Sequence, residues 1–190
     1  MAPRGAATLE QPTFYYDLGS PDCDLVAEQV MHALPIVPEW QPVLASERWF
    51  VDRPRVEDAA AEAGLQPIRW PERLPPDSGL TMLAATYAKQ IGRGVAFSLA
   101  AFRQTFAAGR DLSSHDTVLI AGAACEIHPA ALLKALERPS LARALEAATA
   151  AARSRGVMRL PAFAVADQVL AGADVLQQVS ELLSSSEARA

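Results

Sequence analysis

The chain has 190 residues, a formal net charge of −5 and 51% hydrophobic residues, enough apolar content for one domain or one domain with a sizeable insertion. Its 17 cationic residues are nearly all arginines placed singly, with no basic stripe to follow a phosphate backbone or a membrane surface, so neither nucleic acid nor membrane is expected as a partner. Residues 1–11 carry no apolar stretch of the signal-peptide kind and no later segment approaches about 18 uninterrupted apolar residues, while the two cysteines lie far apart in sequence, which together predict free thiols in a reducing, cytoplasmic setting.

The first predicted strand is Phe14-Tyr15-Tyr16, which runs through Gly19 straight into a helix. Ser20 is placed to cap that helix by accepting the Cys23 N–H, and Pro21 fits its first position, where a missing N–H costs nothing. Leu25, Val26, Val30, Met31 and Leu34 then recur at helical spacing. Ser20 and Cys23, three residues apart at the positive end of the helix dipole, occupy the two places of a Cys-x-x-Cys redox motif and form a candidate catalytic pair; a capping serine beside a buried cysteine would give the same pattern.

Residues 41–45 predict a second strand, completing a β-α-β unit. From 52 to 139 the pattern is wholly helical. A short helix over 56–63 ends at Gly64, a Pro-dense loop covers 69–78, and helices follow over 80–91 and over 95–108, the latter stopped by Gly109. Ser114 caps a helix reaching about Cys125, and His128-Pro129 opens one to about Glu137. A helix over 141–155 leads to Gly156, then to a strand within 157–166 that carries an early Pro161. A tight connection at Asp167-Gln168, a strand over 169–171 and a last helix over 173–183 finish the chain, with 1–11 and 185–190 expected as flexible tails.

His32, His115 and His128 show no ligand-like spacing, so no metal is expected, and Cys125 sits on an apolar helix face as a core residue. Trp49 and Trp70 lie in the segment that should cover the cleft, where they would line an apolar substrate pocket or simply pack. Asp22 and Asp24 complement the helix dipole as first-turn acids, and the same charges disfavour a neighbouring thiolate.

This order of elements resembles a thioredoxin fold, an α/β architecture with a four-stranded mixed sheet, carrying an all-helical insertion. The boundaries are 12–53 and 139–184 for the discontinuous thioredoxin-like domain and 54–138 for the insertion. Four stretches make the resemblance specific to the family that joins DsbA-like proteins, kappa-class glutathione transferases and 2-hydroxychromene-2-carboxylate isomerases. Tyr16-Asp17-Leu18-Gly19-Ser20-Pro21 is similar to the strand-to-helix elbow in which the transferases and isomerases carry Ser where the redox branch carries its first Cys. Arg69-Trp70-Pro71 with Pro75-Pro76-Asp77-Ser78 resembles the isomerases' insertion loop, and Gly156-Val157-Met158-Arg159-Leu160-Pro161 resembles the loop before the cis-proline. Gly172-Ala173-Asp174 resembles the stretch whose Asp holds the γ-glutamyl end of glutathione.

The resemblance implies a cis Leu160-Pro161 bond and a low-molecular-weight thiol cofactor, glutathione or an equivalent. That thiol would lie beside Leu160 and Pro161, with its ammonium group at Ala173-Asp174 and its sulfur at Ser20. It further implies an isomerase or transferase acting on a small, aromatic molecule, and it is compatible with a homodimer. A dithiol oxidoreductase and a non-catalytic binding protein are the alternatives. The chain departs from the glutathione-dependent pattern in having no Asn at all and only Lys89 and Lys134 as lysines.

Overall fold

Four short strands make one mixed sheet in the order β2-β1-β3-β4. These are β1 Thr13–Tyr16, β2 Glu39–Pro42, β3 Ala162–Val165 and β4 Gln168–Ala171, and the computed structural model describes residues 11–45 and 51–187. β1 runs parallel to β2 and antiparallel to β3, with Phe14 opposite both Trp40 and Phe163. Because side chains alternate along a strand, Phe14 and Tyr16 fall on one face and Tyr15 on the other. Phe14 stacks on Phe163 at 4.9 Å between ring centroids and meets Trp40 edge-on at 5.1 Å. Helices α1 (Pro21–Ala33) and α8 (Val175–Glu187) pack Val26, Val30, Val175 and Val179 against that aromatic face, and α7 (Pro139–Ser154) covers the other, where Tyr15, Ala152 and Ala162 meet.

Between β2 and β3 the described residues form helices only: α2 (Arg53–Glu62), α3 (Gly79–Gln90), α4 (Gly94–Phe102), α5 (His115–Ala124) and α6 (Pro129–Leu136), before α7. Their large apolar residues, Met82, Phe97, Phe102, Phe106 and Leu132, do not form a separate core but merge with the aromatic face of the sheet. Polar ties reinforce the junction. Tyr16 and Ser98 share a buried hydroxyl hydrogen bond of 2.6 Å, and the Lys89 ammonium donates to Glu39 at 2.6 Å, Gln41 at 2.7 Å and the Trp40 carbonyl at 3.0 Å. The chain therefore has the expected thioredoxin architecture with a helical insertion.

Several boundaries differ from the expectation for physical reasons. β2 is shifted to Glu39–Pro42 because β1 offers only four residues to pair with, so Val43 contributes a last N–H to the Tyr16 carbonyl and Leu44 and Ala45 leave the ladder. The hairpin turns at Ala166-Asp167, not Asp167-Gln168, with Val165 paired to Gln168 and Ala166 in the left-handed region at φ 49°. α2 starts earlier than expected because Asp52 caps it and Pro54 fits its first turn. The tail expected from 185 is helical to Glu187, where the Ser184 and Ser185 hydroxyls bond back to the carbonyls of Ser180 and Leu182. α4 passes into a π-helical turn, Arg103–Ala107, which apolar spacing alone does not reveal.

Candidate functional site

The elbow between β1 and α1 is built as its sequence suggests. Ser20 has extended backbone and its hydroxyl oxygen accepts the Cys23 N–H at 3.3 Å, while Pro21 opens the helix. The Ser20 hydroxyl also acts on the Cys23 thiol, favouring its ionised form. The Leu160-Pro161 bond is cis, as the resemblance implies. β1 and β3 pair Tyr15 with Ala162, so continuing that register sets Pro161 across from Tyr16, four residues before Ser20. The Pro161 carbonyl accepts the Gly172 N–H at 3.0 Å, and among the described residues the Leu160 backbone has no hydrogen-bond partner.

Cys23 is wholly buried, and its thiol is pushed up well above the ordinary range, first by that burial and further by the Asp17 and Asp22 charges, with Ser20 opposing the shift. It is a poor nucleophile in this state. Asp22 is engaged by the Arg55 guanidinium at 2.6 Å, which offsets its charge at the helix start. Both Cys23 and Cys125 are free and buried.

Sequence reasoning missed Asp17, which has the densest polar contacts of the elbow. It is 3% exposed, its carboxylate accepts the N–H of Gly19 at 2.8 Å and of Ala45 at 3.1 Å, and the nearby Ser78 hydroxyl favours its ionised form. Burial raises its pKa above the usual carboxylate value even with those three groups working against the shift. One carboxyl thus ties together the elbow, the end of β2 and the insertion loop. The available signal was the short, polar Asp77-Ser78 pair after Pro75-Pro76, but nothing local says which side chain it reaches.

That loop, which contains a second cis bond at Leu74-Pro75, lies directly over the elbow. A Cβ on Gly19 would stand 3.1 Å from the Pro76 carbonyl oxygen and 3.3 Å from the Ser78 Cβ, so the loop can approach only because position 19 has no side chain. Ser20 is consequently only 3% exposed. Beside it, a cavity of about 490 Å³ opens between Asp17, Leu44, Ala45 and the loop residues from Arg73 to Gly79. Gly19→Ala is expected to cost about 1–3 kcal/mol through overpacking against backbone and to loosen the loop. Denaturant unfolding, with limited proteolysis at the loop, checks this; unchanged stability and cleavage would mean that the loop does not rest on the elbow.

The remaining expected site residues are spread out. Ala173 and Asp174 are exposed and line a groove of about 990 Å³ with Asp22 and Arg55, which neither Ser20 nor Leu160 lines. Trp70 is half-buried and packed: its indole N–H donates to Glu57, its ring meets Phe106 edge-on, and Arg53 stacks over it at 5.4 Å. Trp49 lies outside the described residues. Among the described residues no cluster of His, Cys, Asp and Glu could hold a metal, and no helix is long and apolar enough to cross a membrane.

Comparison with known proteins agrees with this architecture. The DSBA-like thioredoxin domain family matches residues 46–184. The structure of 2-hydroxychromene-2-carboxylate isomerase superposes with a TM-score of 0.81 at 14% identity, over 92% of this chain and 94% of that one. A probable DsbA oxidoreductase from Streptomyces coelicolor superposes with a TM-score of 0.76 at 15% identity, over 95% and 91%. The cytosolic disulfide reductase DsbM from Pseudomonas aeruginosa, solved with GSH, gives 0.69 at 15% identity, over 95% and 100%. No curated protein matches the chain. At these identities the likenesses concern the fold.

Proposed function

We propose, since the chain belongs to the DSBA-like thioredoxin domain family, that it is a cytosolic thiol-dependent isomerase or transferase for a small aromatic compound, with Ser20 as its chemical centre. One observation carries this reading. The helix start presents a single hydroxyl where a dithiol site needs a sulfur, and its companion Cys23 is buried and held as the thiol. A dithiol cycle requires two sulfurs within bonding distance, so the redox alternative has no second partner here.

A peptide-like thiol such as glutathione would add its backbone to the unpartnered N–H and C=O of Leu160 beside Pro161, in the manner of an extra strand. Its sulfur would then meet the Ser20 hydroxyl and the positive end of α1, both of which favour the thiolate, the nucleophilic form. In the isomerase chemistry this thiolate adds reversibly to a conjugated double bond of the substrate, the resulting single bond rotates, and elimination returns the thiol. Asp174 would take the ligand's ammonium group if the ligand extends from the Leu160 backbone into the groove that Asp174 lines. The GSH bound to a relative of the same fold supports a thiol as the ligand class. Access requires the loop over Gly19 to move, and a non-catalytic binding protein is the reading favoured by a loop that stays closed.

Calorimetric titration with glutathione and other cellular thiols, beside an ultraviolet thiolate titration, tests the proposal. Ser20→Ala is expected to remove a hydrogen bond to charged sulfur worth about 1.5–3 kcal/mol, raising the bound thiol's pKa by about one to two units. Asp174→Ala should weaken binding and leave that pKa nearly unchanged. No binding of any thiol at millimolar concentration would remove the enzymatic reading.

A further inference from the structure

A second pocket, of about 320 Å³, lies between α1, the residues after α2 and the π-helical turn. None of Ser20, Cys23, Leu160 or Pro161 lines it. Its walls are Leu65, Ile68, Phe106 and Ala107, its charged groups are Asp24, Glu28 and Arg103, and the exposed Gln66 amide stands at its rim. Two of the three charged groups are spent on each other. The Arg103 guanidinium donates to both carboxylate oxygens of Glu28, at 2.7 and 2.8 Å. Asp24 is different: it is 6% exposed, lines the pocket, and its carboxyl has no hydrogen-bond partner among the described residues. Its oxygens face the pocket space, where a ligand donor would reach them.

The charges facing Asp24 are Glu28 on its own helix and Arg103 from the π-helical turn; they leave the pocket with one negative charge in excess when Asp24 is ionised. An anion would find the arginine already occupied. We propose that this pocket binds a small organic cation, a primary amine on an apolar body, whose ammonium donates to Asp24 while its hydrocarbon lies against Leu65, Ile68 and Phe106. The size suits a small ligand, pockets for which run from about 300 Å³ upward. The π-helical turn fits such a role, since single turns of this kind recur where a helix wall is reshaped at a functional site. The Asp24 carboxyl is pushed up to about 7, first by burial and then by Glu28, so recognition of a cation should switch on as pH rises through neutrality.

Benzylamine, which stays protonated between pH 6 and 8, is the probe, and the full-length protein is titrated by calorimetry and by amide chemical-shift mapping. Binding is expected at millimolar concentration at pH 8, about tenfold weaker at pH 6, with shifts at Leu65, Ile68 and Phe106. Benzyl alcohol, the same body without the charge, should not bind. Asp24→Asn should weaken benzylamine at least tenfold and abolish the pH dependence, Ala107→Leu should block it by filling the pocket with every charge in place, and Ser20→Ala should leave it unchanged. Failure of benzylamine to bind at pH 8, equal binding of the alcohol, undiminished binding to Asp24→Asn or to Ala107→Leu, or loss in Ser20→Ala would each overturn the assignment.

Discussion

Asp24→Asn is expected to raise the free energy of unfolding at pH 8 by up to roughly 4 kcal/mol and to leave it nearly unchanged at pH 4. The cause is the burial of this residue at 6% exposure and, after it, the Glu28 charge, which together lift its carboxyl pKa from the ordinary value of 3.8 to about 7. A group whose folded pKa lies above its unfolded one holds its proton more tightly in the folded state. Its contribution is therefore fully present below the unfolded value and is lost as pH rises through the folded one, here between about pH 4 and 7. The wild-type protein should lose stability across that window, and Asp17, raised in the same direction, adds to the slope. The difference between wild type and Asp24→Asn isolates Asp24, since the amide keeps the shape and cannot ionise. Urea unfolding at three pH values across the window measures it. Parallel stability curves for the two proteins would show that the carboxyl is ionised in the fold at no cost.

The second large effect is a gain of chemistry. Ser20→Cys should confer reaction with oxidised glutathione, which the buried free thiols of the wild type are not expected to show. In that reaction the new thiolate attacks the glutathione disulfide and releases one glutathione; the Cys23 thiolate then attacks the mixed disulfide and releases the second, leaving an internal disulfide. The geometry favours this because Ser20 and Cys23 stand three residues apart at the helix start, with the Cys23 N–H bonded to the Ser20 hydroxyl oxygen at 3.3 Å. A thiol at the cap of α1 would be the more acidic of the two, exposed to the helix dipole, with the Asp22 charge held by Arg55 at 2.6 Å. Burial leaves Cys23 as the slower, resolving sulfur. Loss of two hydrogens per chain by mass spectrometry, reversed by a dithiol, is the expected result; no exchange would mean that the two side chains do not face each other.

Much of the fold was legible because its signals are local. The Ser20 cap, Pro21, the aromatic strand at Phe14 to Tyr16 and the glycine stops all act within a few residues of themselves, and the cis bond at Leu160-Pro161 followed from the loop's resemblance to a known one. What stayed hidden depends on partners distant in sequence. Asp24 reads as an ordinary first-turn acid until the π-helical turn brings Arg103 beside it, and Asp17 reads as a turn residue until Ala45 and Ser78 arrive. Trp70 shows the same limit: its composition suits a substrate pocket, yet Glu57, Arg53 and Phe106 claim its ring. The cis bond at Leu74-Pro75 sits in a loop whose proline density announces irregularity without stating its form.

The pairing of β1 with β3 sets a schedule for the chain as it is made. Thr13 finds its partner in Ala164, about 150 residues later, so at synthesis rates of roughly 5–20 residues per second the aromatic strand waits on the order of 10–30 s for the neighbour that closes its edge. During that interval the parallel β2 covers the other edge, and the inserted helices, which bring Met82, Phe97 and Phe102 to the same face, emerge in time to cover Phe14 and Tyr16. The insertion thus comes, in the order of synthesis, early enough to shield an apolar sheet face before its last strands exist.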